Sequence, residues 1–211
     1  LALMLSAARR IPQMTAAVRA GQWPGELGVS LAGRRLGVIW TGNIGRQLIR
    51  LAKAIGMETV AWSFHPNTDD AAILGIRFVT MGELLESSDV VSLHVRLSDQ
   101  TRGMIGTAEL ARMKPGAILI NTARGPIVQT DALVDALRRG HLFGAGIDVF
   151  DHEPMPADHP LLQCDNVAFT PHSADQTQEG LDILTLGCVD NIRAFLNGTP
   201  LNVVNPDVFR K

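Results

Sequence analysis

The sequence contains no tyrosine and only two cysteines, and each shortage excludes a class of protein. Without tyrosine, the chain cannot be a reductase whose proton donor is the tyrosine of a Y-x-x-x-K pair. Cys164 and Cys188 each stand alone, with no C-x-x-C spacing and no cluster of ligand residues, so we expect no metal site. Isolated cysteines are also typical of a reduced compartment, and we therefore expect a cytoplasmic protein.

The chain also lacks a strong net charge and a long apolar run. Its formal net charge is −2, so we expect no basic surface for nucleic acid or for an anionic membrane. No apolar run approaches the roughly 18 residues of a membrane-spanning helix. The opening segment LALMLSAARR has neither the leading basic residues nor the cleavage site of a signal peptide, and we interpret it as a packed helix.

Short β-branched runs alternate with helical patterns along most of the 211 residues. This alternation predicts parallel strands joined by crossover helices, which is a doubly wound, Rossmann-like α/β fold with flanking helices. The predicted strands are 36–40, 58–62, 89–95, 117–121, 144–149 and 166–169. The predicted helices are 44–55, 69–74, 81–87, 107–113, 130–139 and 173–197, after a helical pattern over 1–20 that is interrupted at Pro12.

The first predicted strand and the turn after it read LGVIWTGNIG, and a turn of this kind can hold a dinucleotide. Gly42 and Gly45 have the spacing of the last two glycines of G-x-G-x-x-G, and the amides of Asn43 and Ile44 open a helix whose N-terminus favours an anion. An ordinary strand–helix turn would show the same glycines, but the βαβ context favours phosphate binding. Trp40 stands where the first glycine belongs, and a strained backbone there would cost about 1–3 kcal/mol, which weakens a site without necessarily abolishing it.

The end of the second predicted strand bears on the choice between NAD and NADP. An NAD site usually has Asp or Glu there to hold the ribose hydroxyls, whereas this chain has Ser63. Serine can bind a ribose hydroxyl but does not repel a 2′-phosphate, and no arginine follows directly to attract one. The sequence therefore favours NAD slightly and leaves NADP open.

Three later strand ends carry polar residues whose chemistry fits reduction of a 2-keto acid. Arg124 follows strand 117–121, Glu153 follows strand 144–149, and His172 follows strand 166–169. Arginine suits a carboxylate, histidine suits proton transfer near neutral pH, and a carboxylate behind the histidine fixes its tautomer. Singly they could be a surface charge, a solvated turn residue and a helix-capping group, but together they favour a catalytic site. We interpret His94 as a structural residue near the cofactor.

Five segments carry a resemblance to a known family: LGVIWTGNIG, VVSLHVRLSDQTRGMIG, LARMKPGAILINTARGPIV, LFGAGIDVFDHEPMPADHPL and NVAFTPHSA. Together they resemble the D-isomer-specific 2-hydroxyacid dehydrogenases, which include phosphoglycerate, glyoxylate/hydroxypyruvate and D-lactate dehydrogenases. The resemblance covers nearly all of residues 30–197. It implies an enzyme that transfers a hydride between NAD or NADP and a small D-2-hydroxy or 2-keto acid.

The resemblance also implies a role for individual residues. Arg124 would bind and polarise the substrate, Glu153 would pair with the acid/base His172, and Asp148 would hold the nicotinamide carboxamide. No metal is implied. The cofactor-binding residues would be Gly42, Asn43, Ile44, Gly45, Ser63, Val95, Thr122, Ala123, Arg124, Asp148, His172 and Ala174.

The chain departs from the family pattern at Trp40, at Ser63 and at Arg96, where an H-x-P motif normally has proline. Most of the family's substrate domain precedes the matching part, so we expect it to be absent here and the chain alone to be almost inactive. We expect a dimer-contact helix and connector at 1–24, a dinucleotide-binding domain at 25–175, and a return helix and substrate-domain remnant at 176–211. Family members are usually homodimers. The alternatives are a dinucleotide-sensing protein similar to the C-terminal binding corepressors, and an inactive remnant.

Overall fold

The computed structural model describes residues 1–25 and 27–209 and divides into two compact units, residues 1–172 and 173–211. The first unit contains a seven-stranded sheet whose neighbouring strands are all parallel. The strands are β1 Arg35–Ile39, β2 Glu58–Trp62, β3 Arg77–Phe78, β4 Val90–Leu93, β5 Ala117–Asn121, β6 Leu142–Ile147 and β7 Val167–Phe169, in the order β3-β2-β1-β4-β5-β6-β7. The predicted doubly wound α/β fold is therefore confirmed.

In the first unit, the first two helices precede β1 and the later ones connect successive strands. They are α1 Ala2–Ala8, α2 Ile11–Arg19, α3 Asn43–Ala54, α4 Thr68–Leu74, α5 Met81–Ser87, α6 Thr107–Arg112 and α7 Thr130–Arg138, with short 3-10 helices at Gly125–Ile127 and Pro160–Gln163. The second unit holds α8 Gln178–Leu196 and a 3-10 helix at Pro206–Phe209. No helix in the described part of the chain combines the length and the apolar character needed to span a bilayer.

Both faces of the sheet are buried, since alternate strand residues point to opposite sides. In β1, Val38 joins the apolar cluster formed with α1 and α3, whereas the next residue, Ile39, joins the cluster formed with α5, α6 and α7. This burial on two sides explains why the strands read as continuous apolar runs in the sequence. It also leaves the carboxyl ends of the strands as the edge where side chains can meet a ligand.

Apart from shifts of one or two residues at the ends of elements, three details differ from the sequence predictions. The structure adds β3, a two-residue edge strand. The N-terminal helical pattern breaks at Arg10, which adopts a left-handed backbone with φ 50°, and Pro12 instead lies in the first turn of α2, where its missing N–H costs nothing. The long C-terminal helix begins at Gln178, after Thr177 caps its first turn, and not at residue 173.

Candidate active site

The loop that presents Arg124 is held by the last residue of β5. Asn121 is only 2% exposed. Its side-chain amide donates a hydrogen bond to the Arg124 carbonyl (3.0 Å), and its side-chain oxygen accepts one from the Ala123 N–H (3.0 Å). Asn121 thereby fixes the turn, while the Arg124 guanidinium stays exposed and donates to the Ala123 carbonyl (2.6 Å). Sequence reasoning missed Asn121, although asparagine after an apolar strand commonly binds the backbone two residues on.

The Arg124 loop packs directly against the loop that carries Glu153. A Cβ atom on Gly125 would overlap the backbone of Phe150, so only glycine permits this close approach. Phe150 in turn donates its N–H to Glu153 Oε1 at 2.9 Å. The two loops that follow β5 and β6 therefore touch each other at the carboxyl edge of the sheet.

The structure brings Glu153 and His172 together as the sequence predicts. His172 Nδ1 lies 2.6 Å from Glu153 Oε2, and His172 itself adopts a left-handed backbone with φ 51°. The hydrogen bond from His172 lowers the pKa of Glu153, and the Phe150 N–H and the nearby charge of Arg124 lower it further. An ionised carboxylate only accepts hydrogen bonds, so Nδ1 carries a hydrogen and Nε2 remains for a ligand.

A cleft of about 700 Å³ lies beside this pair. Its apolar walls include Phe150, Met155 and Phe169, and its polar groups include Glu153 and His172. Apolar walls with a few convergent polar groups are typical of small-molecule sites. The arrangement can deliver a proton from an imidazole to a bound substrate while a carboxylate supports the imidazole.

The glycine turn after β1 has the features of a pyrophosphate site. Gly42 precedes α3 with an extended backbone, and within the described residues no side chain caps the first turn of that helix. The amides of Asn43 and Ile44 are therefore available to an anion. A Cβ on Gly45 would overlap the Trp40 carbonyl oxygen, so this glycine allows α3 to pack against β1. These residues fit a dinucleotide, whose nicotinamide would supply hydride chemistry.

Trp40 occupies the first glycine position in a backbone conformation that favours glycine. Its φ is 83°, so the strain expected from the sequence has a physical basis. The indole lies against the turn: its Nε1 is 3.1 Å from the point where a Cβ of Gly42 would lie. The ring also lies near the Phe64 ring, at 6.2 Å between centroids. The turn is thus present but partly covered by an aromatic ring.

The remaining predicted cofactor residues occupy different places. Ser63 follows β2, is buried, and accepts a hydrogen bond from the His65 N–H (3.2 Å), which leaves its own O–H as a donor. Asp148 follows β6, is buried, and accepts a hydrogen bond from Thr170 Oγ1 (2.5 Å). Ala174 belongs to the second unit and stays a prediction.

Val95, Thr122, Ala123 and Arg124 line a second cleft, of about 500 Å³, together with Trp40, Gly42 and Ile44. The cleft therefore brings the glycine turn and the Arg124 loop together at one edge of the sheet.

His94 also lines the second cleft but is mostly buried. Burial lowers its pKa to about 4, so the ring is neutral at physiological pH. Its Nε2 lies 3.0 Å from Ser92 Oγ, within β4. A neutral imidazole bonded to its own strand agrees with the structural role that we expect for it.

Comparison with known proteins places this geometry in a family. Residues 1–174 match the family described as D-isomer specific 2-hydroxyacid dehydrogenase, NAD binding domain. A glyoxylate reductase from Korarchaeum cryptofilum is 41% identical over 216 residues, which cover 99% of this chain and 65% of the relative. A D-3-phosphoglycerate dehydrogenase from Methanocaldococcus jannaschii is 40% identical over 207 residues, which cover 96% of this chain and 39% of the relative.

Solved structures show the same fold. The TT0316 protein from Thermus thermophilus superposes with a TM-score of 0.89 at 42% identity, over 96% of this chain and 65% of that one. A glyoxylate reductase from Paecilomyes thermophila gives a TM-score of 0.88 at 36% identity, over 96% and 62% of the two chains. The chain thus spans less than two thirds of the length of these relatives. By its match over residues 1–174, the chain belongs to the NAD-binding domain family of the D-isomer-specific 2-hydroxyacid dehydrogenases.

Proposed function

We propose that the protein carrying this sequence is an NAD-dependent oxidoreductase that interconverts a small D-2-hydroxy acid and its 2-keto acid. The 2.6 Å contact between His172 and Glu153, next to the charge of Arg124, is the observation that carries the proposal. The relatives are named as reductases and dehydrogenases, which supports the same activity. Nothing in the comparisons supports the dinucleotide-sensing alternative.

Each of the three residues has a separate task in the reduction. The guanidinium of Arg124 binds the substrate carboxylate and orients the keto group. When bound, the nicotinamide supplies the hydride that goes to C2 of the acid. His172 donates the proton from Nε2 to the oxygen on C2, and in the reverse direction it takes that proton back. Glu153 accepts the hydrogen bond from Nδ1–H, which fixes the tautomer and the orientation of the ring.

The proposed cofactor contacts follow the strand ends. The amides of Asn43 and Ile44 bind the pyrophosphate, Ser63 binds the adenosine ribose, and Asp148 binds the carboxamide of nicotinamide. NAD is the preferred cofactor because no arginine directly follows Ser63 to attract a 2′-phosphate. The other proposed contacts are Gly42, Gly45, Val95, Thr122, Ala123, Arg124, His172 and Ala174.

The setting of the enzyme is part of the proposal. We propose a cytoplasmic homodimer that binds neither nucleic acid nor membranes, consistent with a net charge of −2. The dimer contact is assigned to the segment around α1. The division into residues 1–24, 25–175 and 176–211 also stays a prediction.

The test is a binding titration followed by turnover. NADH fluorescence measures binding to the 211-residue chain. Loss of NADH absorbance measures turnover of glyoxylate and hydroxypyruvate by the whole protein that carries this sequence. His172→Ala should lower turnover at least about a hundredfold, since general acid catalysis contributes that much. His152→Ala is the matched control, because His152 is exposed on the same loop as Glu153 and should leave turnover unchanged. A near-normal rate for His172→Ala contradicts the proposed role of His172. NADH binding without turnover by the whole protein contradicts the proposed activity.

A further inference from the structure

The cleft between the glycine turn and the Arg124 loop is cationic. It lies at the carboxyl ends of β1, β4 and β5, and its lining includes the two arginines Arg96 and Arg124. Among the described residues that line it, none is aspartate or glutamate. A concave surface with two guanidinium groups and no carboxylate favours an anionic ligand.

The backbone of Arg96 is held in place although its side chain is exposed. The buried Thr101 donates its hydroxyl hydrogen to the Arg96 carbonyl (2.6 Å) and accepts a hydrogen bond from the Ser98 N–H (2.9 Å). His94 is the first residue after β4, and its backbone N–H donates to the Ile39 carbonyl of β1 (2.9 Å). This hydrogen bond holds the ends of the two strands together. Arg96 therefore projects from a fixed point between the glycine turn and Arg124.

The other cations near the glycine turn already have partners. Arg46, in the first turn of α3, donates to the Thr41 carbonyl (3.0 Å) and forms an ion pair with Asp70 (2.8 Å). The Arg124 guanidinium donates to the Ala123 carbonyl, and its charge lowers the pKa of Glu153. In contrast, Arg96 forms no ion pair within residues 1–25 and 27–209.

The turn itself offers a pyrophosphate little charge. Asn43 and Ile44 provide amides without a cationic side chain, and the Trp40 indole lies against Gly42, where it narrows the approach. A pyrophosphate carries two negative charges, and charge-assisted hydrogen bonds are about twice as strong as neutral ones. A cation from the neighbouring strand would therefore add substantially to binding.

We propose that Arg96 binds the pyrophosphate of the dinucleotide from the β4 side of the cleft. The inference rests on the proposed function, since it assigns a further residue to the same cofactor site. It predicts that affinity for any ligand with a pyrophosphate depends on Arg96, including ligands without nicotinamide. The competing role for Arg96 is to bind a second acid group on the substrate.

The experiment is calorimetric titration of ADP, NADH and adenosine into the 211-residue chain, with the Arg96→Gln variant. Loss of one charge-assisted contact should weaken ADP and NADH each about 10- to 100-fold and leave adenosine unchanged. The salt dependence of ADP binding should also become shallower in Arg96→Gln. Arg102→Gln is the control, because Arg102 is exposed on the same loop but does not line the cleft. Arg96→Lys should restore part of the affinity, since it keeps the charge without the planar fork.

Several results would overturn the assignment. The assignment is refuted if Arg96→Gln binds ADP and NADH as tightly as the wild type does. It is also refuted if the substitution changes only the KM of a keto acid that has a second acid group. A wild-type chain that binds neither ADP nor NADH contradicts both this inference and the proposed cofactor. If the whole protein that carries this sequence binds NADH without reducing any keto acid, only the proposed activity is contradicted, because the ADP comparison still decides the role of Arg96.

Discussion

Replacing Trp40 by glycine and by alanine isolates the backbone strain at the start of the glycine turn. Trp40 has φ 83°, a conformation that costs a residue with a Cβ about 1–2 kcal/mol and costs glycine nothing. Both substitutions remove the indole and its 6.2 Å contact with Phe64, so that loss cancels in the comparison. The difference between the two variants therefore reports the conformation of one residue.

The magnitude follows from two opposing effects. Relief of the left-handed strain favours Trp40→Gly over Trp40→Ala by about 1–2 kcal/mol. The greater freedom of glycine in the unfolded chain opposes this by about 0.4–1 kcal/mol. The midpoints of the two ranges differ by about 0.8 kcal/mol, so the glycine variant should be more stable, with a free energy of unfolding higher by about that amount. With an m value near 2 kcal/mol/M, its urea midpoint should lie about 0.2–0.5 M higher.

Urea unfolding monitored by circular dichroism measures this difference. The exchange Ala111→Gly is the matched control, since Ala111 lies within α6, where glycine should lower the free energy of unfolding by about 1 kcal/mol. A Trp40→Ala variant as stable as Trp40→Gly, with the control behaving normally, would refute the reasoning. It would mean that the turn does not hold residue 40 at positive φ.

Two further predictions concern His94 and Gly45. Burial lowers the pKa of His94 from 6.5 to about 4, so between these pH values the unfolded chain binds a proton that the folded chain does not. The free energy of unfolding of the wild type should therefore fall by roughly 3 kcal/mol as the pH decreases from 6.5 to about 4. In His94→Asn, urea unfolding at pH 7 and pH 4 should show a smaller fall, and an identical pH profile would contradict the burial argument. In Gly45→Ala, the new Cβ overlaps the Trp40 carbonyl, so the free energy of unfolding should fall by about 1–3 kcal/mol. The control is Gly25→Ala, which should change stability little because a Cβ there meets open space. Equal stabilities of the two variants would refute the overlap.

The sequence predicts the sheet well because its strands are buried on both faces. Strand β2 at Glu58–Trp62 and strand β5 at Ala117–Asn121 have the predicted bounds, since each contains a run of β-branched or apolar residues that is buried in the sheet. The short β3 has no such run: Arg77 is exposed and Phe78 half-buried, and pairing with β2 alone makes it a strand. The helix break at Arg10 depends on a left-handed residue that no local composition indicates.

The positions of the candidate catalytic residues are predictable because parallel strands end at one edge of the sheet. The pairing of Glu153 with His172 follows from that rule together with the chemistry of the two side chains. The parts that escape the sequence depend on tertiary contacts. The bonds of Asn121 to the Arg124 turn, and the position of the Trp40 indole against Gly42, arise only once neighbouring loops meet. The roles of the site residues stay predictions until binding and turnover are measured.

The strand order β3-β2-β1-β4-β5-β6-β7 has a consequence for how the protein can change over evolutionary time. The turns proposed to face the adenosine half of a dinucleotide follow β1 and β2, whereas Arg124, Glu153 and His172 follow the adjacent strands β5, β6 and β7. One contiguous stretch of gene, residues 124–172, therefore encodes all three residues that we propose for catalysis. Substitutions elsewhere, including at positions 40 and 63, can change nucleotide preference without altering those three residues.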